Sequence, residues 1–277
     1  MLAYPRVVNT AHRVPRSLLF VPASRPRAIE KAHDLPADMI FLDLEDAVKP
    51  EDKTSARAAA IAAAAAGFGG RLVAIRVNTV DSVWHAHDVA AVAGSAADYI
   101  ILPKAESIDD VAAVAAAAAK PLLAMIETPC GVLAAPQIAG LPGTAGLIAG
   151  TNDLRATLKL PPDAPRAAIA LSLQMTVLAA RFGGCWAFDG VYNPLDDAPG
   201  FEAECQEGRM LGFDGKTLIH PGQVEACNRV FGPTDAELED ARALIAAASG
   251  GAERFRDRMI ETMHVEAALA LVERSAR

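Results

Sequence analysis

Two carboxylates, Glu127 in AMIETPCG and Asp153 in IAGTNDLR, stand where a short apolar run gives way to a polar turn. Carboxylate oxygens are hard donors. A pair at such junctions suits a divalent cation that completes its shell with water and substrate oxygens: Mg2+ first, Mn2+ next. No HExxH and no Cys/His cluster points to zinc. Both acids also fit plainer work, Glu127 at the positive start of a following helix and Asp153 capping the turn before Leu154. Arg76 ends the run LVAI, an odd place for a solvent-facing charge. A guanidinium there can clamp a planar carboxylate through two parallel hydrogen bonds, pair with Glu45 or Asp46, or do both. Lys104 reads as a Schiff-base nucleophile or, amid Glu106 and Asp109, as an ion-paired ammonium, with the second favoured. His220 fits a rim histidine bonded to backbone better than a general base. Cys130 lies close to Glu127 but has no histidine near it in sequence, so a free thiol is the better reading.

Eight apolar runs are expected to carry these groups. They are Ser17–Pro22, Met39–Leu44, Leu72–Val77, Tyr99–Pro103, Leu122–Ile126, Ala145–Ala149, Cys185–Phe188 and Thr217–His220. Most are continuously apolar rather than alternating, the pattern of parallel strands covered on both faces. Helix-compatible segments intervene. Glu51–Ala66 is nearly all alanine before Gly67; Glu106–Ala119 spaces Ile108, Val111 and Val114; Ala164–Arg181 carries Ile169, Leu173, Val177 and Leu178 as a face. This rhythm predicts an α/β fold, a (β/α)8 TIM barrel, in which the C-terminal ends of the strands face one cavity. Arg25, Asp43, Glu45, Asp46, Arg76, Asn78, Lys104, Glu106, Glu127, Asn152, Asp153, Asp189, Tyr192 and His220 would then ring a single mouth. An open doubly wound sheet is the runner-up, weakened by the lack of GxGxxG and GxxxxGK[ST] phosphate loops.

The expected organisation is a catalytic barrel over 1–233 and a C-terminal helical extension over 234–277. Helices are expected at Asp235–Ala248 and Glu253–Glu273, broken by Gly250 and Gly251. The extension can serve as a lid over a neighbouring subunit or dock on its own barrel. The 277 residues suffice for one barrel, and the formal charge of −8 argues against nonspecific binding to nucleic acid or an anionic membrane. A local arginine can still recruit a small anion. Apolar stretches are too short for a membrane span and no secretory signal pattern opens the chain, so a cytoplasmic protein is expected. Cys130, Cys185, Cys205 and Cys227 are expected to be free thiols.

The segments RSLLFVPASRP with Lys31, IFLDLEDAV, IRVNT, YIILPKAES, those around Glu127 and Asp153, FDGVYN and GRMLGFDGKTLIHPGQ occur in this order over residues 16–233. Together they resemble the citrate lyase β-subunit/malyl-CoA lyase family within the HpcH/HpaI superfamily. The resemblance implies a TIM barrel that cleaves or forms β-hydroxyacyl-CoA thioesters with Mg2+, as a homotrimer or hexamer. It implies that Glu127 and Asp153 hold the metal and that Arg76 binds the carboxylate of an α-keto acid. Glu45 and Asp46 would orient Arg76 and the water at the metal, while Phe20, Arg25 and Lys31 lie on the coenzyme A side. Relatives often supply a proton from an aspartate in a C-terminal lid near G-x-M-[IV]-D-x-P. Here that stretch reads DRMIETMH, with Glu261 at the acidic position and no proline two residues on. The function implied is a Mg2+-dependent carbon–carbon lyase on malyl-, citramalyl- or citryl-CoA. A malyl-CoA-type thioesterase, an HpaI-like aldolase on free hydroxy acids and a noncatalytic citrate-lyase-type subunit are the alternatives.

Overall fold

The computed structural model describes residues 14–275; residues 1–13 and 276–277, the outer ends of both expected segments, lie outside it. In chain order the elements are β1 Ser17–Pro22, α1 Pro26–Ala32, β2 Met39–Asp43, α2 Lys53–Ala66, β3 Leu72–Arg76 and α3 His85–Ala93. There follow β4 Tyr99–Leu102, α4 Ile108–Ala118, β5 Leu122–Ile126, α5 Pro129–Ala139, β6 Thr144–Ala149, α6 Thr151–Thr157 and α7 Ala170–Gly183. The barrel ends with β7 Trp186–Asp189, α8 Ala198–Leu211, β8 Gly215–Leu218 and α9 Val224–Phe231. Beyond it come α10 Asp235–Ala247, β9 Glu253–Phe255, β10 Arg258–Ile260 and α11 Thr262–Ser275. Strands β1 to β8 pair in parallel and β8 closes on β1, so the fold is a (β/α)8 TIM barrel.

Strand parity divides the barrel wall into two faces, because successive side chains point to opposite sides. Leu18, Met39, Phe41, Ala74, Tyr99, Ile101, Leu123, Met125, Trp186 and Phe188 fill the interior. Their neighbours, among them Leu19, Ile40, Leu42, Ile75, Ile100 and Leu147, face the helices. Both faces are dry, which explains the unbroken apolar runs. Ala56, Ala60, Ala63 and Ala64 form the buried stripe of α2, letting that helix lie close to the sheet, and Gly67 ends it at a φ of 72°.

Two expected helical faces need correction. Ile108 is 39% exposed, because it opens α4 at the barrel rim where no sheet lies beneath it. Leu178 is 63% exposed, since α7 seats Leu173, Val177 and Ala180 inward and the residue after Val177 turns about 100° away.

The expected helix Glu253–Glu273 is also corrected: its first part is a hairpin. Phe255 and Ile260 are buried at strand positions, and Arg256 turns the chain at a φ of 55°. Arg256 and Arg258 flank the Phe255 ring and pair with Asp240 of α10. Helix geometry would separate these contacts. The hairpin, α10 and α11 share a small core of Ala241, Leu244, Phe255, Ile260 and Ala268. Leu271 of α11 meets a crevice with Arg181, Phe213, Asp214 and Phe231, at the barrel end from which β8 starts. Among the described residues no helix is long and apolar enough to cross a membrane.

Candidate active site

At the C-terminal ends of the strands opens a cavity of about 450 Å³, lined by Phe20, Pro22, Arg25, Asp43, Asp46, Arg76, Met125, Glu127, Gly150, Asp153 and Thr217, among others. Asp43, Arg76 and Glu127 continue the inward parity of β2, β3 and β5 past the last apolar layer. Asp43 and Arg76 are lateral partners in the β2–β3 register. That register explains the fork between them, Nε to Oδ1 at 2.7 Å and Nη2 to Oδ2 at 2.9 Å. Below the guanidinium lie the stacked rings of Phe20 and Phe41, with its carbon 5.0 Å and 5.7 Å from their centres. Burial by itself would raise the Asp43 carboxyl; Arg76 and the N–H groups of Glu45 and Ala47 hold it below its ordinary value.

The third guanidinium nitrogen, Nη1, donates to Met125 Sδ at 3.7 Å. It lies 2.9 Å from Glu45 Oε2 and 3.7 Å from Asp46 Oδ2. The Glu45 contact is ionic without hydrogen-bond alignment, which leaves that buried oxygen without a hydrogen-bond partner. Burial pushes the Glu45 carboxyl up to about 8 against the pull of Arg76, with the nearby Asp46, Glu127 and Asp43 charges adding to the rise. Lys53 braces this turn from behind. Its buried ammonium donates to the Leu44 and Glu45 carbonyls at 2.8 Å and 2.7 Å and to Asn78 Oδ1 at 2.5 Å. Asn78 in turn donates to Asp88, which Arg57 pairs.

Across the mouth, Glu127 is 4% exposed. Its Oε1 accepts the Lys104 N–H at 2.7 Å, and Asp153 Oδ2 lies 3.4 Å from Lys104 Nζ. Burial pushes Glu127 up to about 7, against the attraction of Arg76. The plainer capping roles are not realised: the Thr128 side chain caps α5, and Gly150 stands at the N-cap of α6 with no side-chain cap. A Cβ at Gly150 would collide with Glu127 Cβ and Oε2, so only glycine lets that carboxyl stand upright beside β6. A buried carboxyl with a raised pKa, a second carboxylate nearby and only oxygen donors fit a hard divalent cation that takes its other ligands from water and substrate. Among the described residues no group of three or more His, Cys, Asp or Glu side chains forms a complete protein cage.

Of the residues singled out in the sequence, Phe20, Arg25, Asp46, Arg76, Glu127 and Asp153 meet at this cavity, and Glu45 stands directly behind Arg76. Lys31 is exposed on α1 and does not line it. Glu261 precedes α11, where its N–H donates to His264 Nδ1, and it does not line the cavity of its own chain either. His220 caps the turn after β8, accepting the Gly222 N–H. Lys104 is ion-paired, but with Asp153 rather than Glu106 or Asp109. All four cysteines are free, Cys130 exposed and the others buried. Asp43 as the main partner of Arg76, Lys53 and the Phe20–Phe41 floor were not anticipated. Parity was the available signal for Asp43, two residues beyond Phe41 on the same face.

Asp189 needs correction as a rim group. It ends β7 on the outward face and is wholly buried against Lys216 of β8, its register partner, at 2.8 Å. Arg166 reaches its other oxygen at 2.8 Å, and Glu204 of α8 accepts from Lys216 at 2.7 Å. Burial would raise Asp189; Lys216 and Arg166 hold it low instead.

The chain is similar to known proteins along most of its length. The family model for HpcH/HpaI aldolase/citrate lyase matches residues 16–221, and one for a carbon–carbon bond lyase of the TIM-barrel fold matches 179–276. A (3S)-malyl-CoA thioesterase of Cereibacter sphaeroides (strain ATCC 17025) is 45% identical over 236 residues, 84% of this chain and 82% of that protein. The citrate lyase subunit beta of Escherichia coli (strain K12) is 33% identical, with 87% and 84% covered. Among solved structures, Mycobacterium tuberculosis CitE in complex with magnesium, acetoacetate and coenzyme A aligns with a TM-score of 0.81. It is 30% identical, with 96% of this chain and 99% of that one covered. The citrate lyase beta subunit of the same organism, complexed with oxaloacetate and magnesium, aligns at 0.72 with 32% identity, covering 79% and 98%. This chain belongs to the HpcH/HpaI aldolase/citrate lyase family.

Proposed function

We propose that this member of the family is a Mg2+-dependent enzyme acting on β-hydroxyacyl-CoA thioesters of the malyl-CoA type, and that it hydrolyses the thioester. The observation that carries the substrate class is the pairing, across one cavity, of an aromatic-backed guanidinium with two carboxylates fit for a hard cation. Hydrolysis is supported by the similarity to the C. sphaeroides (3S)-malyl-CoA thioesterase. Mg2+ at Glu127 and Asp153 would supply Lewis acidity toward the substrate's carboxylate and hydroxyl oxygens.

The chain's own residues do the rest. Arg76, oriented by Asp43 and Glu45 and held over the Phe20 ring, binds the substrate carboxylate through Nη1. Asp46, exposed at the mouth and 3.7 Å from Arg76, is placed to take a proton from a water attacking the acyl carbon. Phe20 and Arg25 face the thioester arm, with Lys31 on the adjoining helix for the phosphates of coenzyme A. A cytoplasmic homotrimer or hexamer is the setting we propose, with no nucleic-acid or membrane partner.

Carbon–carbon cleavage to an α-keto acid and a shorter acyl-CoA is the second reading, favoured by the match to the carbon–carbon bond lyase model and to citrate lyase β-subunits. In that reaction Arg76 holds the departing keto acid, and the enolate needs a proton that Glu261 of a neighbouring subunit would deliver. Glu261→Gln then lowers kcat with near-normal KM; an unaltered rate returns that helix to a structural role. The deciding assay incubates the enzyme with Mg2+ and malyl-, citramalyl- or citryl-CoA while measuring free thiol and keto acid separately. Free thiol without keto acid supports hydrolysis, keto acid without free thiol supports the lyase, and neither product removes both readings.

A further inference from the structure

Lys104 is used by neither reaction, yet its backbone and side chain touch both acids of the cation site. It ends the β4 turn at a φ of 47°, a left-handed conformation that a side chain with a Cβ disfavours. The other non-glycine residues with positive φ among those described are Ala119, Lys159 and Arg256, which end helices or turn the hairpin. Lys104 alone adopts it at the mouth of the barrel. The conformation aims its N–H at Glu127 Oε1, 2.7 Å away, and leaves its ammonium 3.4 Å from Asp153 Oδ2. Glycine would meet the backbone requirement with less strain, but it would leave two neighbouring carboxylates without a positive charge between them.

We infer that Lys104 is the resident counter-cation of the carboxylate pair: its ammonium holds Asp153 until a divalent cation arrives, and then gives way to it. The inference rests on the reading of Glu127 and Asp153 as the metal site. The geometry supplies a place for the displaced group. Beside the mouth lies a second cavity, of about 350 Å³, lined by Lys104 together with Asp81, Glu106 and Asp110. A swing about the lysine's own rotatable bonds exchanges one acidic neighbour for others without moving the backbone bond to Glu127. Competition from the ammonium holds bare-metal affinity below what the two acids alone would give. Loading is thereby tied to substrate oxygens that complete the shell.

The test is Mn2+ binding to metal-stripped protein, followed by electron paramagnetic resonance or calorimetry without substrate. Lys104→Gln, which removes the charge, is expected to tighten Mn2+ binding about threefold to fivefold, the scale of a half-exposed ion pair. Lys104→Arg is expected to bind as the parent does. Asp153→Asn is expected to weaken binding at least tenfold, about the loss of one charged ligand. If Asp153→Asn weakens binding while Lys104→Gln leaves it unchanged or weaker, the counter-cation role is overturned and the metal site stands. If Asp153→Asn binds Mn2+ like the parent, the metal site itself is wrong and the inference falls with it.

Discussion

Two acid–base pairs in this barrel are built alike and do opposite things. Asp43 and Arg76 are register partners on β2 and β3; Asp189 and Lys216 are register partners on β7 and β8. Each pair is buried, each is joined at short range, and each recruits a further carboxylate, Glu45 in one case and Glu204 in the other. They differ in parity. Asp43 and Arg76 face inward, where the barrel interior opens into the mouth cavity, and Arg76 keeps a nitrogen turned toward Glu45 and Asp46. Asp189 and Lys216 face the helices, where Arg166 and Glu204 join them away from the mouth cavity. Buried charge is therefore no mark of chemistry by itself. What distinguishes the site is its place beside an open cavity and the raised carboxyls of Glu45 and Glu127, since each region keeps a buried atom without a hydrogen bond, Glu45 Oε2 in one and Arg166 Nε in the other.

Variants can break that comparison. The largest effect is expected at Glu127, the carboxylate proposed to hold the cation: Glu127→Gln lowers kcat by about a thousandfold, the scale of lost Lewis-acid assistance, without loss of the fold by circular dichroism. Full Mg2+-dependent turnover would dismiss its role. Arg76→Lys keeps the charge but loses the planar fork, and kcat/KM for malyl-CoA should fall about a hundredfold. Kinetics like the parent's would put Arg76 in the same structural class as Lys216.

The outward pair should answer in stability instead. Lys216→Met leaves buried Asp189 with Arg166 but without its second cation, at a cost of about 3 kcal/mol in urea unfolding, while kcat/KM of the folded fraction stays within about twofold. The double variant Asp189→Leu with Lys216→Met should recover much of that loss, because no unpaired buried charge remains. A large kinetic defect in the double variant would mean that the outward network reaches the site.

The subtlest contrast lies in pH. In metal-free protein Glu45 and Glu127 keep their protons in the fold after the unfolded chain has released them near 4.5. Their contribution to stability is complete below 4.5 and is lost as pH rises through about 7 and about 8. Asp189 has the opposite sign. Its folded pKa lies below 3.8, so its pair contributes fully above that value and is lost as pH falls beneath it. Urea midpoints across pH should show a decline toward alkaline pH that Glu127→Gln reduces and an acid limb that it leaves in place. A decline unchanged in Glu127→Gln would contradict the pKa assignment.

Much of this was legible in the chain because a parallel barrel writes its periodicity plainly. Each strand is apolar on both faces, and each polar break marks a mouth loop. The position of Glu127, Asp153 and Arg76 at such breaks followed directly. Register was only half legible: parity in IFLDLEDAV puts both Asp43 and Glu45 on the face of Phe41, and it does not say which of them stands opposite Arg76. Nor does FDGVYN show that Asp189 turns outward, since that depends on where the apolar layer of β7 begins. Lys53 read as an ordinary member of an alanine-rich helix, because its carbonyl partners come from the preceding turn and from the far side of β3. The hairpin at Glu253–Ile260 was hidden for a related reason. Its charged residues suit a helix surface, and only the packing of Phe255 and Ile260 on α10 selects strands.

The five-residue core shared by α10, the hairpin and α11 sets a kinetic expectation for this end of the chain. A segment with so few buried apolar groups opens by local fluctuation at a free energy well below that of the whole barrel. Its amide hydrogens should exchange with solvent long before those of β1 to β8, and a protease should find the glycines at 250 and 251 first. Removal of substrate and metal would leave that order intact. Slow exchange across Thr262–Ser275 in the assembled protein, set against fast exchange in dilute monomer, would reveal that a second subunit supplies the burial which the single chain lacks.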